Sequence, residues 1–247
     1  MRRRNYAIIG MLGVLVLLSR LAPLARPGLT WAMDNDSARY IQLAAGLRSG
    51  CGFARLVGGS CLGPEVLRTP GYPLFLAAIG NLRCALVVQA VLSALVCIVV
   101  AIVTSWTFGF GAGFCAEALM ALDVSSAIHS GRVMSDSLFQ TLLVFALALQ
   151  LWAIVKARSP RTAIASVLGG AALITFAVAV RPTGIVLPLV AALPVLFLPA
   201  LPRRARMALA AAAFAIPAAT IAGWTIRNYR KIGVATYSSR ERWISIT

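Results

Sequence analysis

The chain has 247 residues, of which 60% are hydrophobic and only 12% are charged. Because soluble domains are about a quarter charged, this composition excludes an ordinary soluble protein. The net charge of +16 comes from cations dispersed between apolar blocks, without any nucleic-acid-binding module, which excludes a nucleic-acid partner. The composition therefore predicts an all-α, polytopic helical membrane protein whose first partner is the lipid bilayer.

Seven apolar blocks are candidate transmembrane helices, since about 17–25 residues cross a hydrocarbon core of about 30 Å. The third block is short and carries Glu117, so it crosses only if it borrows residues 123–127 or lies inside the bundle. The prediction is one transmembrane domain over residues 1–247. The seven blocks are residues 7–24, 85–108, 109–122, 138–155, 162–180, 184–201 and 207–224.

Clusters of Lys and Arg set the orientation, because short positively charged loops stay in the cytoplasm. With seven spans, all three clusters share one side, so the N-terminus is cytoplasmic and the first large loop, residues 24–84, is external. Arginine placed outside predicts binding of a phosphorylated ligand, and anionic lipid headgroups are the alternative. The clusters are Arg2, Arg3 and Arg4; Lys156, Arg158 and Arg161; and Arg203, Arg204 and Arg206.

The first loop predicts two interfacial helices. The sequence Asp34-Asn35-Asp36-Ser37 is typical of a helix start, and the helix is expected to run to about Arg48. A flexible glycine-rich stretch follows, and the prolines after Arg68 begin a second short helix that ends near Gly80. The first helix carries an apolar stripe, which predicts that it lies in the membrane interface: Tyr40, Leu43, Ala44 and Leu47.

Two cysteines in this loop, Cys51 and Cys61, are ten residues apart among glycines. An external loop meets an oxidising compartment, so we predict a Cys51–Cys61 disulfide. The alternative, metal binding, lacks a second Cys or His pair. The single histidine, His129, is predicted to be structural rather than a ligand.

Each polar landmark also has a structural interpretation. Asp36 is typical of a helix cap, and Asp136 of a cap for the block at 138–155. The sequence from Arg181 to Gly184 is compatible with an ordinary turn between two spans. A functional interpretation rests on the three landmarks facing one side of the membrane.

The order of motifs resembles the first part of bacterial GT-C membrane glycosyltransferases, with glycosyltransferase family 39 the nearest group, which includes protein O-mannosyltransferases and the lipid A aminoarabinose transferase. The resemblance runs from the first span to about Tyr237. Six motifs carry it: Asp36-Ser-Ala-Arg-Tyr40, Gly50-Cys-Gly-Phe53, Arg68-Thr-Pro-Gly-Tyr-Pro-Leu-Phe75, Met134-Ser-Asp136-Ser-Leu-Phe139, Ala179-Val-Arg181-Pro-Thr-Gly184 and Trp224-Thr-Ile-Arg227-Asn228-Tyr229.

The resemblance implies an enzyme of the bacterial cytoplasmic (inner) membrane that moves a sugar from a polyprenyl-phosphate carrier to an acceptor on the external face. It implies Asp36 as the general base, and Asp136 as a second acid that positions the acceptor or, together with Asp36, a divalent metal cation. The lipid phosphate would be bound by Arg68, Arg181 and Arg227. Further substrate contacts would come from Asp34, Tyr40, Tyr72 and Asn228.

The chain departs from the family pattern in two places. Several relatives have Asp-Glu where this chain has Asp36-Ser37, which counts against a two-carboxylate metal site. Relatives also continue beyond the position of Thr247, so the chain is expected to correspond to their N-terminal part. The alternative functions are an inactive fragment or an accessory membrane subunit. A transporter is less favoured, since few ionisable residues other than Arg20 and Glu117 fall within spans.

Overall fold

The structure is a computed structural model that describes residues 3–238. Within that range, five helices are long and apolar enough to cross a membrane, or six if one bent pair counts as a single span. The all-α class with several membrane-length helices is therefore confirmed, whereas the predicted count of seven spans is not. Arg2, of the first basic cluster, lies outside the described residues.

Ten α-helices and one hairpin make up the described chain. Asn81 caps the fourth helix by accepting from the Cys84 N–H, and Ser159 caps the eighth by accepting from the Thr162 N–H. In chain order the elements are α1 (Arg3–Leu21), α2 (Ser37–Arg48), β1 (Ala54–Val57), β2 (Ser60–Pro64), α3 (Gly71–Ile79), α4 (Leu82–Phe108), α5 (Phe110–Ala121), α6 (Val124–Ser130), α7 (Ser135–Val155), α8 (Pro160–Val180), α9 (Leu187–Ala192) and α10 (Arg203–Ile232).

The core lies where α4, α7, α8 and α10 meet. Small side chains dominate it and let the helix backbones approach closely, as expected where lipid removes the hydrophobic drive between helices. Gly170 illustrates the spacing, since a Cβ there would lie 3.1 Å from the Ala146 carbonyl oxygen of α7. Among the fully buried core residues are Ala90, Ala146, Ala171, Ile174, Ala177 and Ala213.

The predicted third span continues into α6. Helices α5 and α6 are separated by a bend of 59°, at which the Asp123 side chain accepts from the Ser125 N–H and caps α6. On α5, Gly113 packs on Ala101 and Ser105 of α4. The chain thus extends past residue 122 through the residues that the short third block was predicted to borrow.

The predicted sixth span is a broken helix. Residues Pro182–Phe197 form 3-10, α and 3-10 turns in succession, because prolines repeatedly remove backbone donors. The segment begins beside α8, where a Cβ on Gly184 would lie 2.8 Å from the Val178 Cα. It ends beside the start of α10, where Arg206 donates to the Leu196 carbonyl over 2.9 Å. The segment therefore returns the chain along the length of the bundle.

The first loop differs from the prediction in two respects. The glycine-rich stretch forms an antiparallel hairpin, β1 paired with β2, whose turn residues Gly58 and Gly59 both have positive φ, as a type I′ turn requires. The apolar stripe of α2 faces protein rather than lipid: Tyr40, Leu43 and Ala44 are buried. The stripe packs against α3 and β1, which offer the apolar partner that the isolated sequence lacks.

Cys51 and Cys61 form a disulfide with a Cα–Cα distance of 5.7 Å.

Candidate functional site

Three aspartates pair with three arginines at one end of the bundle, which we call the loop end. The loop end consists of residues 22–81, residues 131–136 and residues 181–186. Arg132 Nη1 lies 2.9 Å from Asp34 Oδ2. Arg68 Nη2 pairs with Asp36 Oδ1, and Arg181 Nη1 pairs with Asp136 Oδ1. The structure therefore brings two predicted phosphate ligands, Arg68 and Arg181, into contact with the two predicted catalytic carboxylates.

Asp36 stands immediately before α2, but its side chain makes no capping hydrogen bond. The structural interpretation of Asp36 as a cap is therefore wrong. The neighbouring residues satisfy each other instead, since the Asp34 N–H donates to Ser37 Oγ over 2.8 Å. The Asp36 carboxylate is left to pair with Arg68, whose side chain is 15% exposed and lies over the Tyr40 ring at 5.7 Å.

The turn before Arg68 is held by a buried carboxylate. Glu65 Oε1 accepts the N–H groups of Val66 and Leu67, at 3.0 and 2.7 Å. Three residues after Arg68, Gly71 begins α3 directly against the end of α8. Arg68 is thereby positioned between two anchored points, which limits the conformations that its backbone can adopt.

Asp136 lies in the first turn of α7, where the helix dipole favours a negative charge. The cap residue of α7 is Met134, so the interpretation of Asp136 as the cap is also wrong. Arg181 follows the end of α8 and lies 6.0 Å from the centre of the Phe139 ring. Asp136 Oδ2 and Arg68 Nε are buried and have no hydrogen-bond partner within residues 3–238. Both pairs thus retain unused hydrogen-bonding capacity.

Tyr40 reaches from Arg68 toward the start of α7, and Tyr72 packs against it. Their rings meet edge to face with centroids 4.9 Å apart, and the Tyr40 hydroxyl is 3.4 Å from Ser135 Oγ, next to Asp136. The Tyr72 hydroxyl donates to Gln89 Oε1 over 2.7 Å. Burial raises the pKa of the Tyr72 phenol well above its usual value, so it stays neutral. Tyr72 is fully buried, and its hydroxyl is already paired with Gln89.

Asp34 pairs with Arg132, a residue that none of the sequence motifs singles out. The N–H of Asn35 and, next among the lowering contributions, the Arg132 guanidinium hold the Asp34 pKa below its usual value. Gln89 Nε2 donates to the Arg132 carbonyl over 3.0 Å and so joins this connection to α4. The signal available in the sequence was proximity, since Arg132 stands four residues before Asp136, just ahead of α7.

Arg227 and Asn228 hold the loop together. Arg227 Nη1 donates to the Glu65 carbonyl over 2.6 Å, and the guanidinium lies over Trp224 at 4.7 Å and Phe53 at 5.5 Å. Asn228 is fully buried, and its Nδ2 donates to the Thr236 carbonyl over 2.9 Å. These contacts join the end of α10 to the hairpin, and they place Arg227 there rather than at any of the three Asp–Arg pairs.

A metal ion fits this donor set poorly. Within the described residues, no group of three or more His, Cys, Asp and Glu side chains lies close enough to hold one. Asp36 and Asp136 are each already paired with a guanidinium, which a cation would have to displace. His129, predicted to be structural, lies in α6, close enough to Asp34 to help lower the pKa of that carboxyl.

The chain matches no protein-family model, no curated protein and no solved structure. Function is therefore argued from the chemistry of the loop end.

Proposed function

We propose that the protein is a membrane glycosyltransferase that moves a sugar from a polyprenyl-phosphate carrier to an acceptor hydroxyl at the loop end. The observation that carries the proposal is the pairing of Asp36 with Arg68 and of Asp136 with Arg181. Each pair has a buried polar atom without a partner among the described residues 3–238. A phosphate and a hydroxyl supply the acceptor and donor atoms that these groups lack.

Arginine exchange couples donor binding to catalysis in this proposal. The donor phosphate competes with Asp36 for the planar fork of Arg68, since guanidinium binds phosphate and carboxylate with the same geometry. Binding of the phosphate therefore releases the Asp36 carboxylate, which becomes free to accept a proton. Arg181 holds Asp136 until a second, non-reacting hydroxyl of the acceptor donates to that carboxylate and positions the acceptor.

The transfer step then uses these four side chains. Asp36 takes the proton from the acceptor hydroxyl as its oxygen bonds to the anomeric carbon of the sugar. The bond from that carbon to the phosphate oxygen breaks, and its electron pair stays on the lipid phosphate. Arg68 and Arg181 stabilise the added negative charge, which makes guanidinium groups the cations of the reaction. No step is assigned to a metal, because the two carboxylates already have cationic partners.

The proposed orientation places the loop end outside and the basic clusters in the cytoplasm. Lys156 lies at the opposite end of the bundle, 6.0 Å from the ring of Trp106 near the end of α4, and Arg206 lies at the start of α10. Seven crossings follow if the bent α5–α6 pair and the Pro182–Phe197 segment each count as one. Retention of Lys156 and Arg206 on the inside agrees with the charge rule for short loops.

The test is transfer of a radiolabelled sugar from its polyprenyl phosphate in membranes that contain the protein. Asp36→Asn is expected to lower the rate by about 10²- to 10⁴-fold, because the amide keeps the shape but cannot take the proton. Arg68→Lys is expected to raise the KM for the donor, because a point charge replaces a bidentate fork. Addition of EDTA is expected to leave the rate unchanged.

Asp123→Asn is the matched control, since it makes the same chemical change at the cap of α6, outside the three pairs. Its transfer rate is expected to equal that of the wild type. Near-normal transfer by Asp36→Asn at unchanged protein levels would remove Asp36 as the base and favour an accessory membrane subunit. Loss of transfer with EDTA would support a divalent cation as part of the reaction.

A further inference from the structure

A second charged cluster lies next to the Asp36 pair and has no part in the proposed transfer step. Glu65 Oε2 lies 3.1 Å from Arg39 Nε and 4.0 Å from Arg55 Nε. The Glu65 side chain is 4% exposed, and its other oxygen is occupied by the backbone of the turn before Arg68. The carboxylate is therefore a fixed point that holds two arginines from different elements, α2 and β1.

Both arginines use Nε for this contact, which leaves their terminal nitrogens available. Within residues 3–238, no hydrogen bond engages Nη1 or Nη2 of Arg39 or Arg55, and the two side chains are 30% and 36% exposed. The Nη pair is the part of guanidinium that grips an oxyanion side by side. Glu65 thus orients two open forks without occupying them.

The cluster also carries uncompensated charge. Arg227 donates to the backbone carbonyl of Glu65, so three guanidinium groups, those of Arg39, Arg55 and Arg227, contact a residue that carries one negative charge. Two positive charges remain, at an end of the bundle where the charge rule for membrane proteins disfavours them. An anionic ligand would offset both the charge and the unused donors.

The position of the Glu65 cluster relates it to the proposed acceptor. Asp36 stands immediately before α2 and Arg39 follows it by three residues, so the two side chains share a face of the helix start with Cβ atoms about 5–6 Å apart. The partners repeat this spacing, since Asp36 pairs with Arg68 and Arg39 pairs with Glu65, three residues earlier. A ligand at the open forks would therefore lie one helical turn from the group that removes the proton.

We propose that Arg39 and Arg55, oriented by Glu65, form an anion site for a phosphate or carboxylate group that the acceptor carries near its reacting hydroxyl. The assignment of the ligand to the acceptor rests on the proposed function, but the anion site itself does not. It restricts the acceptor to anionic molecules and gives the external arginines of α2 and β1 a role distinct from donor binding.

The first experiment measures binding of radiolabelled inorganic phosphate by equilibrium dialysis to the full chain in nanodiscs of neutral phosphatidylcholine. Arg39→Gln/Arg55→Gln is expected to weaken binding by about tenfold or more for each fork removed. Glu65→Gln is expected to weaken binding, because the amide oxygen still accepts from the turn but Arg39 and Arg55 lose the charge that orients them. Arg48→Gln, an exposed position on the same helix, is the matched control and is expected to bind as the wild type does.

The second experiment is the transfer assay with the double variant. A raised KM for the acceptor fraction with an unchanged KM for the donor is expected. A raised KM for the donor alone would overturn the acceptor assignment. Loss of phosphate binding when phosphatidylglycerol is added to the nanodiscs would also overturn it, since a lipid headgroup would then be the occupant.

Unchanged phosphate binding in the double variant would overturn the site. Asp36→Asn is expected to keep the Arg39–Arg55 phosphate site, which separates failure of this inference from failure of the base.

Discussion

Gly71, the first residue of α3, lies directly against the backbone of Val180 at the end of α8. A Cβ on Gly71 would stand 2.7 Å from the Val180 nitrogen and 2.7 Å from the Ala179 carbonyl carbon. This contact brings the segment that carries Arg68 against the segment that carries Arg181. The absence of a side chain at one position thus allows the two arginines of the proposed donor site to share one end of the bundle.

Gly71→Ala is expected to separate these segments. Forcing a methyl group into a backbone contact costs about 1–3 kcal/mol, so the melting temperature of the purified protein should fall and donor use should weaken. Gly63→Ala is the control, because a Cβ there meets nothing within 4 Å and no positive φ is required. Equal stability and activity of the two variants would contradict the role of the Gly71 contact.

Tyr72→Phe is expected to destabilise the protein by about 1–3 kcal/mol, since it leaves the buried Oε1 of Gln89 without its donor. Thermal unfolding in detergent, followed by tryptophan fluorescence, measures the change. Tyr229→Phe makes the same chemical change at a residue that is 57% exposed, and its melting temperature should equal that of the wild type. A Tyr72→Phe protein that also melts with the wild type would mean that Gln89 finds another partner.

The stability contributed by Asp34 is expected to depend on pH. Its pKa is lowered in the folded state, so the contribution is fully present above the usual Asp value of 3.8 and is lost as the pH falls through the folded value. Asp34→Asn should therefore melt below the wild type near neutral pH, and the difference should shrink as the pH falls below 3.8. A difference that stays constant throughout would assign the effect of the substitution to packing. High salt at neutral pH should reduce it, because the pair is partly exposed.

Thiol labelling of intact cells is expected to report both the disulfide and the orientation. In a Cys84→Ser background, a membrane-impermeant maleimide should label the protein only after mild reduction, because Cys51 and Cys61 are paired and external. Cys97 is buried. Cys115 is on the exposed face of α5, which the proposed topology places against lipid, so neither thiol should be labelled. Labelling before reduction would contradict the disulfide in the cell. Labelling only after the membrane is opened would reverse the proposed orientation.

Much of the local structure could be predicted from the amino-acid sequence. Apolar blocks of about 20 residues must become helices in a membrane, because only a helix satisfies its own backbone hydrogen bonds there. The start and end of α2 and α3 were predictable for a similar reason, since Asp, Pro and Gly mark helix ends through local backbone chemistry. The short third block also predicted that the chain continues past α5 into the residues of α6.

The partners of the charged residues were decided by the tertiary structure alone. Asp36 and Asp34 both looked like parts of a helix start, yet one pairs with Arg68, 32 residues away, and the other with Arg132, 98 residues away. Likewise, α2 was expected to place its apolar stripe in lipid until α3 and β1 offered a protein surface. Hydrophobic periodicity and turn chemistry act over a few residues, so they specify helices and turns. Which guanidinium faces which carboxylate depends on how the helices pack, and packing is a property of the whole chain.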